Sequence, residues 1–257
     1  ELVLQDEEEK AAASAAATQR EKLENSQNSQ NSQIDSSSHS SSISSMIASF
    51  DQSQLTKTFH QQMTKIISLI QPSTPNEIKI GIAVSGGVDS MALALLLSQW
   101  KKSLPSSTPF SVSIVAITVN HGKRPESEIE VVQVKKWMKE KCGGIPTAIY
   151  NVKWLPDEKM NQETCREKRL SCLADAKSKY DLDVILLGHH LDDQVEIFLY
   201  RMALGSGLQG LSGLSDVTHL IGCDFGRPLQ KFRKMDLILY CRAHDVQWLN
   251  DPTNFDE

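Results

Sequence analysis

Apolar residues along this chain fall into two alternating periods. Short, unbroken apolar runs at Ile78–Val84, Val112–Val119, Thr147–Val152 and Asp183–Leu187 are rich in β-branched side chains. Between and after them lie longer stretches of helical period, Asp89–Trp100, Glu126–Lys141, Asn161–Tyr180 and Leu191–Ala203. Strands buried on both faces and separated by helices predict an α/β fold, a doubly wound parallel sheet of about five strands. Ligands of such sheets bind beyond the carboxyl ends of the strands, where strand order reverses.

Upstream of this alternation the pattern changes twice. Leu55, Phe59, Met63, Ile66, Ile67 and Ile70 recur at helical spacing, which predicts an amphipathic helix whose start Asp51 or Ser53 can cap and which Pro72 and Pro75 end. Residues 25–45, with their Asn-Ser-Gln repeats and serine tract, hold almost no apolar side chain and are expected to be disordered. The expected organisation is a disordered extension over 1–45, a helix and linker over 46–76, and a catalytic-type α/β domain over 77–257. A mitochondrial presequence is the rival reading of the helix, because Gln52–Gln71 carries Lys57 and Lys65 and no acid, whereas the upstream Asp6–Glu9 run opposes it.

Charge excludes one broad class. The net charge is −5, and residues 1–76 hold five Lys/Arg against nine Asp/Glu, leaving 22 against 23 for the rest. A globally basic nucleic-acid footprint is therefore absent, and any RNA contact is local, through Lys135, Lys136, Lys139 and Lys141 or through Lys231, Arg233 and Lys234. Solvated helix faces explain the same runs. The five cysteines form no C-x-x-C pair and no zinc spacing, and are read as reduced, mostly buried thiols of an intracellular protein. No apolar run is long enough to span a membrane.

The richest segment is Ser85-Gly86-Gly87-Val88-Asp89-Ser90, between an apolar strand and an apolar helix. That order points the first N–H groups of a helix, with their partial positive charge, above the sheet edge, where a phosphate fits. Two glycines permit a sharp turn and close approach, the serines offer hydroxyls, and Asp89 can hold magnesium. The plainer alternative is a strand–turn–helix with a Gly-Gly bend. A second polar cluster, Asn120–Pro125, follows the second strand, and a third, Gly188–Glu196, follows the fourth. On the last helix, Leu191, Val195, Phe198, Leu199 and Met202 are expected to pack inward, while His189, Asp193 and Glu196 at i, i+4, i+7 share the opposite face. Capping acids at a helix start, or a cluster of bivalent-metal ligands, are the competing explanations.

Ser85–Ser90 lacks the Walker A lysine and resembles the pyrophosphate (PP) loop of the N-type ATP pyrophosphatases, which have the adenine nucleotide alpha-hydrolase-like fold. Gly188–Glu196 with Tyr200–Leu214 is similar to the stretch that marks tRNA(Ile)-lysidine synthetases, as are Val119–Ser127, Cys165–Arg169, Arg227–Leu229 and Asp251–Asp256, in the same order. The sequence departs from that family at Lys123, where leucine is usual, and at Leu204, where arginine is common. The resemblance also implies continuation beyond Glu257, into an arginine-rich segment and tRNA-gripping domains.

What the resemblance implies is a ligase for which ATP and Mg2+ are required. It would adenylate carbon-2 of the wobble cytidine in tRNA(Ile) with a CAU anticodon, then join free L-lysine there. Catalytic roles carry over to Asp89, His189, Asp193, Glu196 and Arg166. Nucleotide-binding roles carry over to Ser85, Gly86, Gly87, Val88, Asp89, Ser90, His121 and Arg169, with Asp89 as the magnesium ligand. Another PP-loop tRNA-modifying enzyme, such as a thiolation enzyme, and an inactive nucleotide- or RNA-binding remnant are the alternatives. Oligomeric state, a homodimer included, and the choice between cytoplasm and organelle stay open.

Overall fold

A computed structural model describes residues 46–249 except 48, 123, 125, 156 and 204–213, with side chains omitted at 200–203. The expected disordered extension, Lys123, Leu204 and the Asp251–Asp256 block lie outside the described residues. The chain divides into two compact units, Glu1–Phe50 and Asp51–Glu257. What is described of the first is a helical turn closed by the Phe50 N–H on the Ile47 carbonyl at 3.3 Å.

The second unit starts with α1 (Gln52–Leu69), capped by the Asp51 carboxylate accepting from the Gln54 N–H. Its stripe of Leu55, Phe59, Met63 and Ile66 is buried as the spacing predicts. Full burial stabilises by about 1.5–3 kcal/mol for each such side chain. There follow β1 (Glu77–Ala83), α2 (Val88–Ser103), β2 (Ser111–Asn120), α3 (Ser127–Glu140), β3 (Thr147–Asn151), α4 (Gln162–Tyr180), β4 (Val184–Leu186), α5 (Leu191–Ala203), β5 (Val217–Leu220), β6 (Cys223–Gly226) and α6 (Lys234–Ala243).

The sheet has six strands in the order β3-β2-β1-β4-β6-β5, parallel except that β5 runs antiparallel to β6. The β5–β6 hairpin is an addition to the strands read from the sequence. Each of its strands is four residues long, too short for a hydrophobic period to register. From β1 the chain steps outward to β2 and β3, then returns to place β4 on the other side of β1. Right-handed crossovers therefore put α2 and α3 on one face and α4 on the other. The order reverses between β1 and β4, which opens a crevice at their carboxyl ends.

Two details fix these central strands. Buried Asp183 accepts the Ser73 N–H at 2.7 Å and the Lys79 N–H at 2.8 Å, so its carboxylate staples the entry to β1 beside β4. Gly81 on β1 leaves no room for a side chain: a Cβ there would stand 2.7 Å from Leu182 Cδ1, 3.1 Å from Ile117 Cδ1 and 3.2 Å from Ile185 Cγ1. All three belong to the cluster packing α4 on the sheet, with Leu173, Ala176 and Phe225. Gly81→Ala is expected to destabilise by about 1–3 kcal/mol through overpacking, read as a lower urea midpoint.

Candidate active site

At the β1 exit the loop is braced from within. Gly86 adopts φ +91°, a conformation that only glycine takes without strain. Its N–H donates to Ser90 Oγ at 3.1 Å, Ser90 Oγ donates to the Gly87 carbonyl at 2.9 Å, and the Gly87 N–H reaches Ser85 Oγ at 3.4 Å. Gly87 is the N-cap of α2 and no side chain caps it, so that helix end is open to an anion.

At the β4 exit Gly188 packs against this same turn. A Cβ on Gly188 would lie 3.3 Å from the Asp89 carbonyl carbon and 3.4 Å from the Ser90 nitrogen. The two loops thus touch, as the switch point requires. Together they line a cleft of ≈ 600 Å3 whose walls include Ser85, Asp89, Ser90, His121, Arg169, His189 and Asp193. Glycine, valine and arginine at 86, 87, 88 and 166 are not among the lining side chains, and neither is Glu196. Arg166 and Glu196 are exposed.

The helical geometry expected for the third cluster needs correction. His189 and His190 precede α5, which begins at Leu191, so His189 does not share a helix face with Asp193 and Glu196. Nor is the apolar stripe buried: Val195 is 49% exposed, Phe198 42% and Leu199 50%. An amphipathic period locates an apolar face without saying what covers it. The helix is held instead by its polar start, with the Asp192 carboxylate accepting the Lys234 N–H at 2.7 Å and Gln194 Nε2 donating to the Gln230 carbonyl at 3.3 Å.

Electrostatics distinguish the lining groups. Burial pushes the Asp89 carboxyl up, and Asp193 adds to this, against the attraction of His190 and Lys234. Burial lowers the His189 pKa, helped by the positive charges of Arg227 and Arg169 and opposed by Asp193, so the ring is neutral near pH 7. Arg169 is accessible from the open cleft, yet surrounding protein atoms and Arg166 weaken its hold on the proton without discharging it. A phosphate is the natural relief for these crowded guanidinium groups.

The His189 shift has a consequence for stability. With a folded-state pKa below the ordinary 6.5, the unfolded chain binds the proton first as pH falls, so stability drops from about pH 6.5 down to the lowered folded value. His189→Gln is expected to lose less stability than the parent between about pH 7.5 and 5.5, measured by urea unfolding at both.

Asp89 is suited to holding magnesium. Its Oδ1 is buried without a hydrogen bond, and the side chain is 30% exposed, so the other oxygen is the one the cleft reaches. Among the described residues no three His, Cys, Asp or Glu side chains cluster as a metal cage. One or two carboxylates completed by substrate phosphates suit magnesium.

Other wall residues are given no individual role by the sequence, although Asn120 and Arg124 fall in the polar cluster expected after the second strand. Arg124 and Glu130 form a pair at 3.2 Å on the β2 side, and buried Asn120 accepts the Gly122 N–H at 2.9 Å. Trp154 Nε1 donates to the His121 carbonyl at 2.6 Å and fixes that loop. Leu249, beyond α6, covers the Ser85–Ser90 turn and donates its N–H to the Gly86 carbonyl at 2.8 Å. As for the thiols, Cys142, Cys223 and Cys241 are buried and all five are unpaired, with burial pushing Cys142 and Cys241 up to about 12.

A mostly parallel sheet with a Ser-Gly-Gly turn and an aspartate at its switch point defines a nucleotide-type α/β domain. The chain belongs to the PP-loop domain family, whose model matches residues 55–257, and membership implies use of ATP. It is 38% identical over 183 residues to the tRNA(Ile)-lysidine synthase of Wolbachia pipientis wMel, covering 69% of this chain and 40% of that protein. It is 35% identical over 176 residues to the tRNA(Ile)-lysidine synthase of Wolbachia sp. subsp. Brugia malayi, covering 68% and 39%. The chain thus spans about two fifths of the length of these curated relatives. Among solved structures it resembles in fold the U34-tRNA thiolase NcsA from Methanococcus maripaludis with its [4Fe-4S] cluster, at TM-score 0.58 and 22% identity over 76% of this chain and 67% of that one. No helix among the described residues is long and apolar enough to cross a membrane.

Proposed function

We propose that this chain carries the ATP-using part of a tRNA(Ile)-lysidine synthetase, a ligase that forms a carbon–nitrogen bond. The observation that supports this reading is the meeting of two loops, Ser85–Ser90 and Gly188–Asp193, in one cleft where strand order reverses. Sequence similarity to lysidine synthases supports the choice of a tRNA substrate.

In this reading the carbonyl oxygen at carbon-2 of the wobble cytidine attacks the α-phosphorus of ATP, and pyrophosphate leaves. The open N-terminus of α2 and the Ser85–Ser90 loop stabilise the charge that develops on the leaving group. Arg169 reaches the phosphates from α4, with Arg166 as a second cation at the outer end of the same helix. Neutral His189 contacts the nucleotide and the developing adenylate. Magnesium, held at Asp89 together with the phosphates, supplies charge neutralisation when bound.

The ε-amine of lysine then attacks carbon-2 and AMP departs. A free amine of pKa ~10.4 is neutral only ~4 times in ten thousand at pH 7, a handicap of about 4.6 kcal/mol. Asp193 in the cleft, with Glu196 one helical turn further out, positions the amine and takes its proton. Glu196→Gln is expected to leave pyrophosphate release near the parental rate while slowing lysine transfer by about 10²–10⁴-fold in single-turnover assays. Equal loss in both steps speaks against this division of labour.

The reading is tested by ATP–pyrophosphate exchange with and without a tRNA(Ile) transcript bearing a CAU anticodon. Exchange that needs this RNA supports it. Nucleotide binding with no RNA-dependent exchange supports an inactive remnant instead.

A further inference from the structure

His190 is the most enclosed ionisable group at the β4 exit, only 4% exposed, and no catalytic role above uses it. Its ring stands among three carboxylates. Nε2 is 3.5 Å from Asp89 Oδ1 and 3.7 Å from Asp193 Oδ1, and Nδ1 is 3.6 Å from Asp192 Oδ2. The residue is also the N-cap of α5, since its backbone N–H donates to Asp193 Oδ2 at 2.8 Å while Nδ1 accepts the Asp193 N–H at 3.4 Å. With Nδ1 accepting, the hydrogen belongs on Nε2, the atom that faces Asp89 and Asp193.

We infer that His190 is a positioning residue whose Nε2–H holds Asp89 Oδ1 from the protein side, thereby aiming the other Asp89 oxygen into the cleft and tying the β1 exit to the β4 exit. Three observations carry this. Asp89 Oδ1 is buried and accepts no hydrogen bond, so a donor is wanted there. His190 Nε2 is the polar group drawn toward it. The distance is too long for a formed hydrogen bond, but a shift of a few tenths of an ångström closes one, and such contacts tighten when ligand binds. A metal-holding carboxylate is oriented in this way by an outer partner elsewhere.

The inference rests on the assignment of Asp89 to the phosphates and magnesium in the proposed function, and not on the RNA substrate. Two substitutions separate its two halves. Asparagine reproduces the Nδ1 position and is a good N-cap, but offers nothing at Nε2. Glutamine reproduces an Nε2 donor and caps poorly.

The experiment uses the full chain labelled with 15N-histidine, the His190 signals being assigned by their loss in His190→Gln. The expected spectrum has a protonated Nε2, and Asp89→Asn shifts that resonance. Titration with MgATP is then compared across variants. His190→Asn is expected to keep the parental melting temperature and lose about 10–100-fold in Mg2+-dependent ATP affinity, whereas His190→Gln melts lower and stays within about threefold of the parent. An unprotonated Nε2, or parental affinity in His190→Asn, overturns the inference. So does affinity that falls in step with melting temperature in both variants, which marks a purely structural histidine. Absence of RNA-dependent pyrophosphate exchange, with this order of affinities intact, counts against the lysidine reading and leaves the role of His190 standing.

Discussion

Asp89→Asn is expected to cut ATP turnover by about 10²–10³-fold and at the same time to raise the melting temperature. Both effects come from one half-buried carboxylate. Its pKa is raised, first by burial and then by Asp193, so its ionised form is disfavoured in the folded chain. A carboxyl group whose folded pKa lies above its unfolded value loses stability as pH climbs through the unfolded and then the folded value. At pH 7, well above the ordinary carboxylate value, that penalty is felt, and asparagine removes it. Each 1 kcal/mol recovered shifts melting by about 2–4 °C for a domain of this size. On the catalytic side, losing one charge-stabilising group at a site of developing charge costs about 10²–10³-fold in rate. Calorimetry at pH 7 together with ATP turnover tests the pair. A variant that is inactive and less stable contradicts the account of Asp89 as a functional carboxylate kept at a cost to stability.

The second large effect is at Gly86. Gly86→Ala places a side chain at φ +91°, costing about 1–3 kcal/mol of backbone strain. The added Cβ also falls 2.6 Å from Val134 Cγ2 and 2.6 Å from Leu249 Cδ1. Leu249 can swing away, but Val134 is fully buried and β-branched and has nowhere to go. The loop must move, and a displacement of about 1 Å at a reacting centre costs on the order of 10²-fold. Gly87→Ala is the internal control. Gly87 has an ordinary φ of −68°, and a Cβ there meets nothing closer than Ser85 Oγ at 3.6 Å. Its stability is expected within about 0.5 kcal/mol of the parent by urea unfolding. Similar destabilisation by both substitutions contradicts the packing argument.

The central strands were legible because β4 is fully buried and β1 largely so. Ile80, Ile82, Val184 and Leu186 have no polar face to confuse the period, and α2 is apolar over most of its length. The β5–β6 hairpin was not legible, since partly exposed four-residue strands such as Val217–Leu220 look like loop. At the site, the sequence identifies Asp89, His189 and Asp193 by residue type and position after strands, and the fold brings them to one cleft. It misplaces His189 on a helix because a helix start cannot be located to within two residues from periodicity alone. It overlooks His190, whose importance lies in being 3.5 Å from a residue a hundred positions earlier. Leu249 escapes for the same reason: its backbone bond to Gly86 is a product of topology, with no local pattern behind it.

Family membership implies use of ATP, while the proposed lysidine reading names the oxygen that ATP would activate. Incubation of the chain with isotopically labelled lysine, ATP, Mg2+ and a tRNA(Ile) transcript bearing a CAU anticodon addresses that reading most directly. The account predicts label retained on the RNA, confined after nuclease digestion to the wobble nucleoside, and absent when the wobble cytidine is replaced by uridine. Consumption of ATP to AMP and pyrophosphate with no lysine on that nucleoside contradicts it.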